Sequence, residues 1–280
     1  MNYSRRSVLK FGAGAAALCA VGANPLSAGT DQKKIPIALQ LYSLRNQCAK
    51  DLPGMLAAVG KMGYQGVEFA GYHGRTAAEL RKMLDDNALK CCGTHTALKT
   101  LQGDALKATV EFNKVLGNPY LIVPSLPHAN MASLDALRDT AKLLTDLAAK
   151  VLDEGLHVGY HSHAPDFKAI DGQIPWEVIF SNVGPGVVMQ LDIGNCLGGG
   201  GDPVAELKKF PGRAATIHIK EHGGKPGAVL GEGTVNWNEI FSICETTGGT
   251  QWYIVEHEAD PATPLKSVQR CLEYLRKIGK

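Results

Sequence analysis

Short apolar runs alternate with longer amphipathic segments along most of the chain. The apolar runs have the length of β-strands, and in the segments between them apolar residues recur at helical spacing. This alternation predicts βα units that build a parallel sheet. The predicted strands cover residues 37–42, 66–69, 90–95, 120–124, 157–161, 187–191, 214–219 and 252–256. The predicted helices cover residues 52–61, 76–87, 104–116, 133–154, 175–181, 203–210, 237–246 and 263–278.

The number of predicted elements favours a closed barrel. Eight strands and eight helices in roughly 250 residues fit an α/β fold of the (β/α)₈ TIM-barrel type with a single domain. A doubly wound sheet is the alternative, and it would favour a glycine-rich phosphate loop after the first strand. Residues 40–45, which stand there, contain no glycine. The sequence therefore predicts one barrel domain over residues 29–280.

The first 28 residues follow a different pattern. Arg5 and Arg6 precede residues 11–23, a run of Ala, Gly, Leu, Val and Phe with one Cys. A charged start, a short apolar centre and small residues after it are typical of a secretory signal peptide, and the paired arginines indicate the twin-arginine route. We therefore expect the twin-arginine translocase as a partner during export, and a periplasmic or otherwise extracytoplasmic mature protein.

Removal of this segment changes the charge balance. The chain has 29 basic and 27 acidic residues, and residues 1–28 hold three of the basic and none of the acidic ones, which leaves 26 and 27. No basic surface is then expected to favour nucleic acid. No uncharged apolar run beyond the signal is long enough to span a membrane, so we expect a mature protein that is not membrane-embedded.

Ionisable side chains end most of the predicted strands. The chemistry of a TIM barrel occupies the C-terminal ends of its strands. Carboxylate and imidazole donors without thiolate suit a hard or borderline divalent cation. The alternative is a buried salt-bridge cluster at the barrel rim. The residues concerned, which we expect at one mouth of the barrel, are Glu68, His95, His161, Asp192, His218 and Glu256.

Several motifs, taken in order, resemble those of the sugar phosphate isomerase/epimerase family. These are the xylose-isomerase-like TIM barrels, a group that includes AP endonuclease family 2. The resemblance covers essentially all of the chain after the signal. Its main motifs are YHSH at 160–163, QLDIGN at 190–195, IHIK at 217–220 and VE at 255–256. Segments 40–45, 66–69 and 231–233 also fit.

The resemblance implies one divalent ion, with Mn²⁺ preferred and Mg²⁺, Co²⁺ or Zn²⁺ as alternatives. It implies the ligands His161, Asp192, His218 and Glu256. Epimerases of the group have glutamate at the first position, where this chain has histidine. His163 lies two residues further along and on the same face, so either histidine can be the ligand. This departure favours a relation to enzymes that dehydrate or eliminate from keto-sugars.

Other residues are assigned roles toward a bound sugar. The predicted catalytic residues are Glu256, Glu68, His163 and Lys220. The predicted substrate-binding residues are His95, Tyr42, Asn195 and Trp176. A structural role is the alternative for His95, and a solvated position at the rim is the alternative for Lys220. The glycines at 198–201 indicate a flexible loop that could belong to a lid.

These features predict a metal-dependent enzyme that removes a proton next to the carbonyl of a sugar or keto-sugar. Return of the proton elsewhere gives isomerisation or epimerisation, whereas loss of a β-leaving group gives dehydration or glycoside cleavage. A nuclease of the AP-endonuclease type is opposed by the nearly neutral mature chain and by export. A non-catalytic periplasmic carbohydrate-binding protein is opposed by the full ligand set.

The export expectation can be tested with a reporter fused to residues 1–35. The fusion should reach the periplasm only in cells that have the twin-arginine translocase. Replacement of Arg5 and Arg6 by lysine should keep it inside. Export of the fusion through the route for unfolded chains would contradict the expectation.

Overall fold

The computed structural model describes residues 34–260 and 262–280, so the predicted signal peptide lies outside the described residues. Eight parallel strands form one sheet in the described part of the chain. They are β1 (Ile37–Gln40), β2 (Gly66–Phe69), β3 (Lys90–His95), β4 (Tyr120–Val123), β5 (His157–His161), β6 (Val188–Gln190), β7 (Thr216–Ile219) and β8 (Trp252–Val255).

The sheet closes almost completely into a barrel. Neighbouring strands pair in sequence order from β1 to β6, and β8 joins β1 to β7. At the remaining seam the His218 amide donates to the Leu191 carbonyl at 3.0 Å, and the Met189 amide donates to the Arg213 carbonyl at 2.8 Å. These bonds link β6 to β7 and confirm the predicted (β/α)₈ barrel.

Helices cover the outside of the barrel between successive strands. Within the described residues they are α1 (Arg45–Met62), α2 (Ala77–Asp86), α3 (Ala105–Leu116), α4 (His128–Met131), α5 (Leu134–Leu152), α6 (Pro175–Asn182), α7 (Ile193–Gly199), α8 (Pro203–Lys209), α9 (Trp237–Thr246) and α10 (Pro264–Lys277). None of them is long and apolar enough to cross a lipid bilayer.

The strands are buried on both faces, as expected for a parallel sheet covered by helices. Leu39, Val67 and Ile217 are completely buried. Inside the barrel Ala38, Cys92 and Ile254 pack together as a small apolar layer. Apolar packing therefore fills the barrel, and the polar strand ends stand on top of it.

The first βα unit differs from its prediction. β1 ends at Gln40 rather than at residue 42, because a 3₁₀ turn (Leu41–Leu44) follows and the Gln40 side chain accepts a hydrogen bond from the Tyr42 amide at 3.0 Å. α1 begins at Arg45 rather than at residue 52. It is interrupted at Asp51, whose backbone is non-helical and whose carboxylate accepts from the Gly54 amide.

Helix α7 was also missed, and it occupies part of the predicted flexible loop. Gly198 and Gly199 are its last residues, and Gly200 ends it in the left-handed conformation with φ of 87°. A Cβ on Gly199 would lie 2.4 Å from the Ala164 carbonyl oxygen. Gly199 therefore permits close packing of the helix against residues 164–167, and the glycine run does not form a free loop there.

This packing predicts opposite effects of alanine at adjacent positions. Gly199→Ala should lower the free energy of unfolding by about 1–3 kcal/mol, because the new methyl group has no room. Gly198→Ala is the matched control, since its Cβ would meet no atom closer than 3.9 Å. That helical substitution should instead stabilise the protein by about 0.5–1 kcal/mol. Urea denaturation measures both, and equal effects of the two variants would contradict the packing account.

Candidate metal centre

The predicted strand-end residues converge at one mouth of the barrel. Glu68, His95, His161 and His218 lie at or next to the last residue of their strands, and Asp192 and Glu256 follow β6 and β8. All are buried except His95, whose side chain is 11% exposed. Parallel strands end on the same side of the barrel, so six positions far apart in sequence become neighbours.

Four of these residues form a site that fits a metal ion. His161, Asp192, His218 and Glu256 each offer one donor atom, and the four atoms lie within 4.8 Å of one another. Asp192 Oδ2 is buried and has no hydrogen-bond partner among the residues that the structure describes. A buried, unpaired carboxylate oxygen is costly, and a cation is the partner that removes the cost. Two imidazoles and two carboxylates suit Zn²⁺, Co²⁺ or Mn²⁺ better than Mg²⁺.

His218 lies between two buried carboxylates. Its Nδ1 is 2.7 Å from Glu256 Oε2, and its Nε2 is 2.7 Å from Glu68 Oε2. Burial alone would lower the pKa of His218, but Glu68, Asp192 and Glu256 hold it well above the ordinary value. Nδ1 is the nitrogen that faces the other ligands, since Asp192 Oδ2 lies 3.7 Å away. An ion held at Nδ1 would take the place of the proton that His218 shares with Glu256.

Glu68 supports the ligands from beneath and is not free to act as a base. Its Oε2 accepts from Gln40 at 2.7 Å and from His218, and its Oε1 accepts from the Gln190 amide at 2.8 Å. Burial favours a raised pKa for Glu68, but the adjacent His95 and His218 hold it well below the ordinary value. A carboxylate that accepts from the outer nitrogen of a histidine ligand fixes the orientation of that ring. We therefore assign Glu68 to ligand positioning rather than to the predicted catalytic role.

Gln190 has the same function for His161, and sequence reasoning missed it. Gln190 Oε1 lies 3.0 Å from His161 Nδ1 and 3.1 Å from His95 Nε2. This contact leaves Nε2 of His161 for an ion. Burial, followed by the neighbouring His218 and His95, holds the pKa of His161 well below its usual value, and a neutral imidazole is the form that binds metal. The sequence could have indicated this role, because Gln190 stands two residues before Asp192 and therefore on the same face of the strand.

The predicted ligand Asp192 is also the N-cap of α7. Its Oδ1 accepts from the Asn195 amide at 2.7 Å, which leaves Oδ2 directed to the cluster. Ser162, another missed residue, accepts a hydrogen bond from the Asp192 backbone amide through its hydroxyl oxygen at 2.8 Å. The Asn195 side chain donates to the Ser162 carbonyl at 3.1 Å. Asn195, predicted to bind substrate, therefore links the start of α7 to the segment after β5.

Lys220 adds a fixed positive charge beside the site. Its Nζ lies 3.0 Å from Glu256 Oε1 and 2.8 Å from Glu258 Oε1. Burial would lower the pKa of Lys220, but Asp192, Glu256 and Glu258 hold it above its ordinary value. Lys220 therefore stays protonated and can stabilise negative charge, but it cannot act as a base. Glu258 was not predicted from the sequence.

His163 lies at the exposed edge of the site. Its ring meets the His161 ring edge-on at a centroid distance of 4.8 Å, and it does not belong to the four-donor cluster. The structure therefore favours His161 as the ligand and leaves His163 free to contact a substrate.

Tyr42, predicted to bind substrate, is 43% exposed, and the Arg45 guanidinium lies 4.3 Å from its ring centroid.

Trp176 packs in the core and is not among the residues that converge at the site, so the structure gives its predicted role in substrate binding no support. Its side chain is completely buried and packs against Tyr160, Phe167 and Phe180, with ring centroids between 4.4 and 5.7 Å. The tryptophan is the second residue of α6 and lies on its buried face, so it is part of the core.

Comparison with known proteins agrees with this geometry. The sequence profile described as the xylose isomerase-like TIM barrel matches residues 56–278. The chain belongs to the xylose isomerase-like TIM barrel family. A crystal structure of a sugar phosphate isomerase/epimerase from Parabacteroides distasonis superposes with a TM-score of 0.75 at 27% identity, over 87% of this chain and 98% of that one.

Two curated relatives extend the comparison. The rhizopine catabolism protein MocC of Rhizobium meliloti is 25% identical over 88% of this chain and 89% of its own length. Inosose dehydratase 1 of Bacillus cereus is 28% identical over 39% of this chain and 43% of its own length. The match to the dehydratase thus spans less than half of that protein.

The state of His218 predicts that metal binding releases a proton. In the metal-free protein its raised pKa keeps the ring protonated at neutral pH, and an ion at Nδ1 requires the neutral ring. Metal affinity should therefore rise with pH, about tenfold per unit below the pKa of His218. Calorimetric titration with Mn²⁺ in two buffers of different ionisation enthalpy should count about one proton per ion.

A His218→Gln variant is the control for this measurement. It should bind the ion more weakly and release no proton, because glutamine does not titrate. Binding to the wild-type protein without proton release would show that the ion does not replace the proton of His218.

Proposed function

We propose that this protein is a divalent-metal-dependent enzyme that removes a proton next to the carbonyl of a sugar or keto-sugar. The observation that carries the proposal is the four-donor cluster at the barrel mouth, where Asp192 Oδ2 is buried with no hydrogen-bond partner within residues 34–260 and 262–280. Families of this barrel place their chemistry at that mouth. Mn²⁺ is the first ion to test, and Zn²⁺ and Co²⁺ suit the two imidazole ligands equally well.

The residues around the cluster have different proposed roles in catalysis. His161, Asp192, His218 and Glu256 would hold a divalent ion, which would supply polarisation of a carbonyl oxygen and so acidify the neighbouring C–H bond. His163, exposed and outside the ligand set, is the proposed base, since Glu68 is fully bonded within the protein. Lys220, fixed by Glu256 and Glu258, stabilises the negative charge that develops on oxygen. His95 contacts the substrate beside the cluster.

Elimination is the second candidate outcome, and one observation favours it. His161 occupies a ligand position at which epimerases of the family, by the resemblance noted above, have glutamate. The chain thus lacks one of the paired carboxylates that exchange protons on opposite faces of a ketose. Epimerisation needs a second group that returns the proton on the opposite face. Elimination needs only one base, which removes the proton before the β-leaving group departs. The similarity to inosose dehydratases supports this alternative.

We also propose export by the twin-arginine route, on the basis of residues 1–28 alone. An enzyme outside the cytoplasm meets few phosphorylated sugars. The proposed substrate is therefore a neutral sugar, despite the name that some family members carry.

The proposal predicts that Asp192→Asn abolishes turnover and leaves the barrel folded. The amide can still cap α7 through its oxygen, but it removes the charge that the ion requires. Activity of the wild-type protein should disappear with a chelator and return with Mn²⁺. In deuterated water the product should carry deuterium at the carbon next to the carbonyl. Kinetic assays on a panel of keto-sugars and keto-glycosides, followed by mass spectrometry, measure these outcomes.

Asp202→Asn provides the matched control, because Asp202 caps α8 in the same way and lies on the exposed surface away from the cluster. It should retain activity. Full activity of Asp192→Asn, or of a preparation shown to be free of metal, would contradict the proposal.

A further inference from the structure

A separate pocket of about 300 Å³ opens beside the metal centre, at the same end of the barrel. Its walls come from the loop after β2, the end of β3 with the loop that follows, and the middle turns of α3. This volume is within the range of small-molecule sites. The lining residues are Tyr72, His95, Thr96, Ala97, Thr100, Ala108, Thr109, Phe112 and Asn113.

The pocket shares one residue with the metal centre. His95 lines the pocket, and its ring centroid lies 4.9 Å from that of His161 and 5.6 Å from that of His218. Gln190 and Glu68 hold His95 Nε2 at 3.1 and 3.3 Å. The His95 ring therefore stands between the pocket and the proposed metal ligands His161 and His218. The pocket and the metal centre are therefore close enough for one substrate to be proposed to reach both, around the His95 ring.

The hydroxyl groups that line the pocket already donate hydrogen bonds within the protein. The Thr100 hydroxyl donates to the Ala97 carbonyl at 2.8 Å, and the Thr109 hydroxyl donates to the Thr100 carbonyl at 2.7 Å. The Tyr72 hydroxyl lies 3.3 Å from Asn113 Oδ1. The protons of these three hydroxyl groups are therefore not available to the oxygens of a second sugar. Sugar recognition relies on several donors as well as acceptors, so the loss of these three donors favours an apolar occupant.

Aromatic surface and the lack of charge support the same conclusion. Tyr72 and Phe112 stack with a centroid distance of 4.3 Å and an interplanar angle of 29°. Among the described residues that line the pocket there is no lysine, arginine, aspartate or glutamate. A phosphate group would find no cation there, whereas a planar apolar ring can pack against the aromatic pair.

We propose that this pocket binds a planar, uncharged aryl group carried by the substrate, so that the substrate is an aryl glycoside of a keto-sugar rather than a free monosaccharide. This inference rests on the proposed function for the assignment of the sugar part to the metal centre. The aryl group itself is assigned from the pocket alone. The two parts can therefore be tested separately.

The test compares phenyl β-D-glucopyranoside with methyl β-D-glucopyranoside by calorimetric titration of the purified protein, with Mn²⁺ and with a chelator. Both compounds have the same sugar and lack the keto group, so neither is turned over. Burial of the phenyl ring should make its affinity at least about tenfold higher than that of the methyl compound. The preference should persist with the chelator, because the pocket does not contain the ion.

Ala108→Trp should fill the pocket and remove the preference for phenyl. Ala78→Trp is the matched control, since Ala78 is also exposed on a helix but does not line the pocket. It should keep the preference. Equal affinities of the two glucosides for the wild-type protein, no binding of either, or an unchanged preference in a folded Ala108→Trp protein would overturn the inference. A phenyl preference without metal-dependent turnover of any keto-sugar would instead contradict only the proposed function.

Discussion

The imidazole of His218, held between Glu68 and Glu256 inside the barrel mouth, is the interaction on which the rest of the site depends. All three side chains are buried, and both nitrogens of the ring are bonded at 2.7 Å. Loss of one partner from a buried charged group typically costs about 3–5 kcal/mol. The network therefore holds its geometry before any ion binds. Glu68 lies under the ring and Glu256 beside it, so the face toward Asp192 is already arranged for a cation.

The fold and most of the proposed ligand set could be predicted from the sequence. Strands of a parallel barrel are apolar runs, and a polar residue that ends such a run has a definite position at the mouth. Asp192, His218 and Glu256 satisfy that rule. Their convergence in the structure agrees with the predicted cluster, and the eight-stranded barrel is confirmed.

The parts that could not be predicted depend on contacts between segments distant in sequence. Gln190 and Ser162 orient ligands from other strands, and neither is ionisable, so a search for titratable groups passes over them. Trp176 could not be placed from the sequence because aromatic residues suit sugar binding and core packing equally, and only the packing against its neighbours decides. Helix α7 was missed because four successive glycines favour a loop until Gly199 is seen to pack against residues 164–167.

The most direct test of this account is a crystal structure of the Mn²⁺-loaded protein with anomalous diffraction recorded at the manganese edge. The account predicts one strong anomalous peak within about 2.0–2.4 Å of His161 Nε2, Asp192 Oδ2, His218 Nδ1 and a Glu256 oxygen. His218 Nε2 should remain bonded to Glu68, and His163 should stay outside the coordination sphere. A peak at another place in the barrel, or one bound by His163 in the position assigned to His161, would contradict the account.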